Sequence, residues 1–295
     1  MTRIMEDISK WTVDERRSKL EKIYKEKIGV DLNLEAPVRF TEKTQWRKLY
    51  ENDPRITECI NKLTFKHYIE ENLGKGYTVP LIGVWDCPES VDLSSIPEKC
   101  VIKSNCSGDG HFTLLIGDKY KLNFKAIEED IKEKWFDRRL LHTNSFFRAY
   151  YSVVPCVIIE QLVGDGLHGA NEYKFLCFNG EPRYIYHSSN HFKGLERVEC
   201  SVSFFSLGWE NIGIQYGIHE NNKTAPKPIH LEEMKKVSRI LSKDFSFVRV
   251  DFFETSEKFY VSEMTFTQGS GLTPFFPDEF DFELGKLWNV MGRNQ

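Results

Sequence analysis

The spacing of hydrophobic residues changes near Tyr77, and this change constrains the fold more than any other feature of the sequence. Before it, apolar residues recur at three- and four-residue steps through about 6–30, 41–51 and 54–73, which predicts helices. After it, short apolar runs are separated by turn residues, as is typical of antiparallel strands. The Asn-Gly pair at 179–180 lies between two such runs and is a strong hairpin signal. Helices followed by antiparallel strands predict an α+β fold.

Composition limits the class of protein. The chain has 295 residues, of which 40% are hydrophobic, and its 40 basic and 44 acidic side chains leave a net charge of −4. These values argue against general disorder, and without a basic excess we expect no nucleic-acid partner. No apolar run is long enough to predict a membrane span, and the first residues lack the apolar core of a secretory signal. The seven scattered cysteines form no Cys-x-x-Cys pair, so we expect reduced thiols and a cytoplasmic protein.

The first candidate site is a short apolar strand that ends in a lysine and continues into a glycine loop. Lys103 ends the strand at 100–103, and Ser107, Gly108 and Gly110 follow it. Glycines allow backbone N–H groups to approach anionic oxygens, and a lysine adds a point charge, so the segment suits a phosphate. The lysine precedes the glycines, which excludes a Walker A loop. A plain hairpin turn with an exposed lysine is the alternative interpretation.

The second candidate site lies on two strands that alternate polar and apolar residues. Alternation places Arg249 and Asp251 on one face of the first strand, and Glu263 and Thr265 on one face of the second. If the strands form a hairpin, two carboxylates and a hydroxyl converge beside an arginine. Such oxygen ligands, completed by nucleotide phosphates, are how Mg²⁺ is normally bound. The Gly-Ser-Gly segment at 269–271 would let backbone approach an anion, whereas a solvent-facing salt bridge is the alternative.

The third candidate is the apolar strand that ends on Glu160. The exposed backbone and the carboxylate at its end are suited to a purine nucleoside, although an ordinary strand end has the same pattern. Other kinds of catalytic site are not predicted. The eight histidines have no paired metal-ligand spacing, the chain has no Gly-x-Ser-x-Gly elbow, and no base can be assigned to Cys106.

In this order the segments resemble the ATP-grasp superfamily, and more closely its TupA-like group, which is associated with cell-surface polymers such as teichuronic acid. The resemblance covers about 24–288. The segments that carry it are 40–50 (FTEKTQWRKLY), 80–86 (PLIGVWD), 173–182 (YKFLCFNGEP) and 263–271 (EMTFTQGSG).

The resemblance implies roles for individual residues. A nucleotide-binding set comprises Lys62, Lys103, Ser107, Gly108, Gly110, Glu160, Gln161, Leu162, Glu172 and Lys174. Within it, Lys62 and Lys103 are similar to the two nucleotide lysines, and 160–162 is similar to the adenine hinge. For the contact with the triphosphate, Lys174 ranks ahead of Arg183 and Lys193.

The same resemblance implies a metal-binding and a catalytic set. Asp251, Glu263 and Thr265 would bind Mg²⁺, with Thr265 standing where the superfamily usually has asparagine. Arg249, Gly269 and Ser270 would stabilise the negative charge that develops during the reaction.

The resemblance also implies a domain plan and an activity. It predicts an ATP-grasp fold with a helical substrate-side domain at 1–98, a small subdomain at 99–155 and a large subdomain at 156–295. With ATP and Mg²⁺ as cofactors, the enzyme would join a small-molecule carboxylate to an amine, either of them sugar-linked, through an acyl phosphate. The product would belong to a capsular or other surface polysaccharide. A glycosyltransferase or sugar-nucleotide-binding protein is the alternative, although the chain has no Asp-x-Asp pair; an inactive ATP-grasp interaction protein is a third interpretation.

Overall fold

A computed structural model describes residues 7–107, 112–141, 146–164, 171–189, 192–193, 196–197, 201–219 and 221–290. The α-helices in these ranges are α1 (Val13–Ile28), α2 (Phe40–Tyr50), α3 (Pro54–Ile60), α4 (Thr64–Leu73), α5 (Phe124–Lys134), α6 (Arg138–Leu141), α7 (Leu231–Ser242) and α8 (Glu279–Leu287). None of them combines the length and the hydropathy that a membrane span requires.

The strands form one small and one large antiparallel sheet, with two short strand pairs beside them. They are β1 (Leu81–Trp85), β2 (Cys100–Ser104), β3 (Thr113–Ile116), β4 (Val157–Glu160), β5 (Asn171–Phe178), β6 (Glu181–Ser189), β7 (Phe192–Lys193), β8 (Glu196–Arg197), β9 (Ser201–Phe205), β10 (Gln215–Tyr216), β11 (Phe247–Glu254), β12 (Phe259–Thr265) and β13 (Phe275–Phe276). The small sheet has the order β1-β4-β2-β3 and the large sheet the order β12-β11-β5-β6-β9. The predicted α+β class is confirmed.

The segment at 54–73 differs from the sequence prediction, because it contains two helices rather than one. The Asn61 side chain accepts a hydrogen bond from the backbone N–H of Leu63 at 3.0 Å, a local turn that competes with helix. The Lys62 backbone N–H donates instead to the carbonyl of Asn105 at 2.8 Å. Lys62 therefore lies in the turn between α3 and α4. The prediction of one continuous helix over 54–73 was wrong, and Lys62 does not share a helix with Lys66.

The small sheet takes strands from each of the three predicted domain segments. Strand β1 comes from 1–98, β2 and β3 from 99–155, and β4 from 156–295. Strand β4 pairs with both β1 and β2, so that Glu160 is opposite Leu81 on one side and Val101 on the other. We therefore propose that the domain boundaries be drawn around the sheets, with β1 and β4 assigned to the small subdomain.

The two faces of the large sheet are covered differently, and this difference positions the site. One face, including Phe175 and Val250, packs in a core with residues of α3, α4 and α7. On the other face, Phe247 packs edge-on against Phe40 of α2 at 4.8 Å between ring centroids and also contacts Trp288. Next to Phe247 on the same strand face, Arg249 and Asp251 make the surface polar.

Candidate active site

Charged side chains occupy the polar part of this face, where β5, β11 and β12 lie side by side. Asp251 on β11 is directly opposite Glu263 on β12 and Lys174 on β5. Arg249 is opposite Thr265 in the same register. The predicted hairpin that brings the two carboxylates together is confirmed, and the neighbouring strand adds a lysine to them.

Arg249 is the centre of the hydrogen bonds in this cluster. Its Nε donates to Asp251 Oδ1 at 2.7 Å, and its Nη2 donates to Asp251 Oδ2 at 2.5 Å and to Thr265 Oγ1 at 2.9 Å. Its Nη1 donates to the side-chain oxygen of Gln268. Burial alone would lower the pKa of the guanidinium, but the Asp251 carboxylate outweighs that effect and raises it. Arg249 is therefore a fixed cation that orients Asp251, Thr265 and Gln268.

The ion pairs of the cluster balance its charge. It contains three cationic and three carboxylate side chains: Lys62, Lys174, Arg249, Glu172, Asp251 and Glu263. Lys174 Nζ lies 2.6 Å from Glu172 and 3.7 Å from Asp251, and Lys62 Nζ lies 3.3 Å from Glu263. Because the positive and negative charges are equal in number, they offset the cost of burying six ionisable groups together.

The two central carboxylates have pKa values displaced in opposite directions. Burial raises the pKa of Asp251, because desolvation of this nearly inaccessible carboxylate exceeds the stabilisation by Arg249 and Lys174. Burial also acts to raise the pKa of Glu263, but there Lys62, Arg249 and Lys174 together outweigh it and lower the value. Paired acids whose pKa values are shifted in opposite directions are a feature of functional sites.

The donor set fits Mg²⁺ rather than a metal held entirely by protein. Among the described residues, no group of three or more His, Cys, Asp or Glu side chains is placed to bind an ion. Asp251 and Glu263 supply two carboxylates from directly paired positions. Mg²⁺ commonly uses one or two carboxylates and completes its octahedral shell with water and nucleotide phosphates. Thr265 accepts a hydrogen bond from Arg249, and its role as a third ligand stays a prediction.

The glycines of the 268–271 loop are required by packing as well as by backbone conformation. Gly269 and Gly271 have positive φ angles of 50° and 62°, and Ser270 between them has 56°. A Cβ at Gly269 would lie 1.9 Å from the Tyr216 hydroxyl, and one at Gly271 would lie 2.6 Å from the Thr44 Cβ. A side chain at either glycine would therefore displace the loop that follows β12 or the neighbouring side chain that it meets.

Helix α2 supports this loop through hydrogen bonds, and the sequence analysis did not predict this contact. The Gln45 amide donates to the carbonyls of Ser270 at 3.0 Å and Gly271 at 2.8 Å. Lys48 Nζ donates to the Ser270 carbonyl at 2.6 Å and to its hydroxyl at 2.7 Å. Both residues belong to the 40–50 motif, which carried the family resemblance but suggested no role. Burial lowers the pKa of Lys48 to about 7.

Replacing Lys48 by Met should remove one contribution to the pH dependence of stability. In the folded state the pKa of Lys48 is about 7, whereas a lysine in an unfolded chain has a pKa of about 10.4. Between these values the unfolded chain binds a proton at Lys48 that the folded protein does not, so the contribution of Lys48 to stability rises with pH. From about pH 7 to pH 10 this contribution rises by up to about 4 kcal/mol, at about 1.4 kcal/mol per pH unit. Urea unfolding of both proteins across this range measures it, and equal slopes would contradict the assignment.

A second charged cluster lies at the small sheet. Lys66 of α4 and Lys103 of β2 each lie 2.5 Å from a different oxygen of Glu160. Glu160 was expected to face adenine, but its carboxylate is directed at these two lysines, and the residue is 4% exposed. The Gln161 backbone N–H donates to the carbonyl of Pro80 at 3.0 Å. The prediction that remains is that the side chain of Gln161 and the backbone of Leu162 contact a purine.

Only some of the remaining predicted site residues lie in or beside a charged cluster. Lys62 connects the first cluster to the segment after β2, because its Nζ donates to the backbone carbonyl of Ser107 at 2.6 Å as well as facing Glu263. Gly108 and Gly110 lie outside the described residues. Among the triphosphate candidates, Lys174 is in the first cluster. Arg183 is exposed, and because it is three residues from Tyr186 on β6, the two side chains lie on opposite faces of the sheet. The side chain of Lys193 is outside the described part of the chain.

Residues 42–289 match the family described as TupA-like ATP-grasp. The chain belongs to the TupA-like ATP-grasp family. The match spans most of α2, both sheets and the 268–271 loop, so it includes every element of the two charged clusters. The resemblance and the ATP-grasp fold inferred from the sequence are both confirmed. No curated protein matches the chain.

Solved ATP-grasp structures are similar to this TupA-like chain at low identity. D-alanine–D-alanine ligase from Bacillus anthracis is 16% identical over 70% of this chain and 57% of its own, with a TM-score of 0.42. Phosphoribosylamine–glycine ligase from Thermotoga maritima is 12% identical over 72% of this chain and 49% of its own (TM-score 0.44). N5-carboxyaminoimidazole synthetase from Staphylococcus aureus, complexed with ADP, is 16% identical over 76% and 50% (TM-score 0.41). The chain thus spans about half the length of each.

Proposed function

We propose that this TupA-like protein is an ATP- and Mg²⁺-dependent ligase that joins a carboxylate to an amine through an acyl phosphate. The observation that carries the proposal is the placement of Asp251 opposite both Glu263 and Lys174, with Arg249 beside it and the 268–271 loop next to them. This arrangement brings paired carboxylates, fixed cations and a glycine loop to one place. That combination suits the transfer of a phosphoryl group between two anions.

The nucleotide would lie across the two clusters. Lys103, with Ser107 and the glycines that follow it, would bind the phosphates from the small sheet, and Gln161 with Leu162 would contact adenine. Lys62 and Lys174 would face the triphosphate from the large-sheet cluster, where each already lies beside a carboxylate. Asp251 and Glu263, with Thr265, would hold Mg²⁺, which when bound neutralises phosphate oxygens and stabilises the transferring group.

The protein groups would act by position rather than by forming a covalent intermediate. The substrate carboxylate attacks the γ-phosphorus, so that ADP leaves and an acyl phosphate forms; the amine then attacks the acyl carbon, phosphate leaves, and the amine loses a proton. Two anions must meet in the first step, and Lys62, Lys174 and Arg249 reduce their repulsion. Arg249 also fixes Asp251 and Gln268 at the start of the loop. The backbone N–H of Gly269 lies in the loop that would face the developing charge, whereas the N–H of Ser270 already donates to the carbonyl of Thr267 at 2.9 Å.

The substrates we propose are small molecules of surface-polysaccharide synthesis, because the family resemblance is to proteins of such pathways. A sugar uronate or an amino acid would supply the carboxylate, and the reaction would take place in the cytoplasm, where ATP is available.

Hydroxylamine provides a direct test of this chemistry. A strong nucleophile should intercept the acyl phosphate, so that ATP, Mg²⁺, hydroxylamine and the correct acid yield a hydroxamate together with ADP. We expect hydroxamate from at least one acid in a screen of uronates and amino acids, detected by its iron(III) complex, with ADP measured in parallel. Sugar transfer from a sugar nucleotide without ATP turnover would overturn the ligase proposal and favour a glycosyltransferase.

A further inference from the structure

Lys66 is the one member of the small-sheet cluster to which neither the family resemblance nor the proposed mechanism gives a role. Its Nζ lies 2.5 Å from Glu160 Oε1 and donates to the carbonyl of Val79, also at 2.5 Å. Lys103 Nζ lies 2.5 Å from the other oxygen, Glu160 Oε2. One carboxylate is therefore shared between two ammonium groups, one on each oxygen.

This cluster carries a surplus positive charge. Glu160 is the single carboxylate within ion-pair distance of either lysine among the residues that the structure describes. The two lysines hold the pKa of Glu160 below its ordinary value although burial acts to raise it, so the carboxylate is ionised. The side chains of Lys66 and Lys103 are only 13% and 12% exposed. A mostly buried net charge of this kind is costly unless an anion accompanies it.

The position of Lys66 indicates which anion would accompany this buried positive charge. Lys62 and Lys66 are four residues apart, yet Lys62 reaches Glu263 in the large-sheet cluster and Lys66 reaches Glu160 at the end of β4. The turn before α4 and the first residues of α4 thus run from the proposed metal end of the nucleotide to the proposed purine end. The phosphates nearest to the ribose lie between those two ends of any nucleoside triphosphate.

We propose that Lys66 is a third nucleotide-binding lysine, which acts with Lys103 on the α- or β-phosphate, while Glu160 serves as the counter-ion of both lysines. This inference rests on the proposed ATP-dependent function. The alternative is that Lys66, Lys103 and Glu160 only fasten α4 to the small sheet. A structural ion pair would affect stability, whereas a phosphate-binding lysine affects affinity for ADP and not for adenosine.

The test compares the binding of ADP and of adenosine by calorimetry, using the full chain and its Lys66→Met variant. We expect ADP affinity to fall at least tenfold in the variant, while adenosine affinity stays within twofold of wild type. Lys66→Arg keeps the charge and should recover most of the ADP affinity. Lys43→Met is a matched control, because Lys43 is a half-buried lysine that donates to the carbonyls of Gly285 and Trp288 at 2.7 and 2.6 Å, away from both clusters.

The outcomes separate this inference from the proposed function. ADP affinity within twofold of wild type in a folded Lys66→Met protein would overturn the role of Lys66 and leave the ligase proposal standing. A wild-type protein that binds neither ADP nor ATP would overturn both. If Lys66→Met does not fold, Lys66→Gln keeps an N–H donor for Val79 and takes its place under the same criteria.

Discussion

Replacing Glu263 by Gln should abolish ADP formation while leaving the fold intact. Glu263 contributes one of the two paired carboxylates, so its loss removes one proposed ligand of Mg²⁺ and part of the charge that offsets Lys62. Charge stabilisation assisted by a metal is of the order of several kcal/mol, so the rate should fall by about a thousandfold or more. The measurement is ADP release with the acid and amine found in the screen, beside thermal unfolding of the variant.

Glu263 is a cleaner target than Asp251, because its side chain is 30% exposed and makes a single described ion pair. The loss of activity can therefore be separated from loss of structure. Glu257→Gln is the matched control, since Glu257 lies at the exposed tip of the same hairpin and should retain full activity. ADP formation by Glu263→Gln within about threefold of wild type, which is under about 1 kcal/mol, would contradict the metal role.

Replacing Arg249 by Met should lower the free energy of unfolding by about 3–5 kcal/mol, the usual cost of breaking a buried ion pair by removing one partner. The variant leaves Asp251 buried, with Lys174 at 3.7 Å as its remaining described cation. Removing the second charge as well, in Arg249→Met/Asp251→Asn, should recover much of the loss, because no uncompensated carboxylate remains. Arg249→Lys keeps the charge but not the planar fork and should fall between wild type and Arg249→Met.

Urea unfolding of wild type, both single variants and the double variant completes the thermodynamic cycle. A coupling energy near zero, with the single losses simply adding, would show that Arg249 and Asp251 do not stabilise each other. The cycle also bears on catalysis, since Asp251→Asn is expected to abolish ADP formation but, unlike Glu263→Gln, to disturb Arg249 as well. Comparing the two carboxylate variants therefore separates the metal role from the orienting role of Arg249.

Local periodicity was sufficient to predict the hairpin that carries the two central carboxylates. Side chains alternate with a period of two along a strand, and β11 and β12 are joined by a short polar tip, so Asp251 and Glu263 could meet only on one face. The helix break at Asn61 was not predicted. It depends on one side-chain hydrogen bond to Leu63 and on a backbone contact with Asn105, neither of which changes the apolar spacing.

The sequence by itself determined the α+β class, the family and the strand pair of the candidate metal site, because these depend on short-range patterns and on motifs that can be read in order. The tertiary structure alone decided which polar side chains meet across long separations. Lys48 supports Ser270, which is 222 residues away, and Glu160 turns from the expected purine contact to Lys66 and Lys103. Helical spacing shows that a residue lies on an inner face, but not what that face will contact. The partners of a buried charge are fixed only when the sheets and helices pack together.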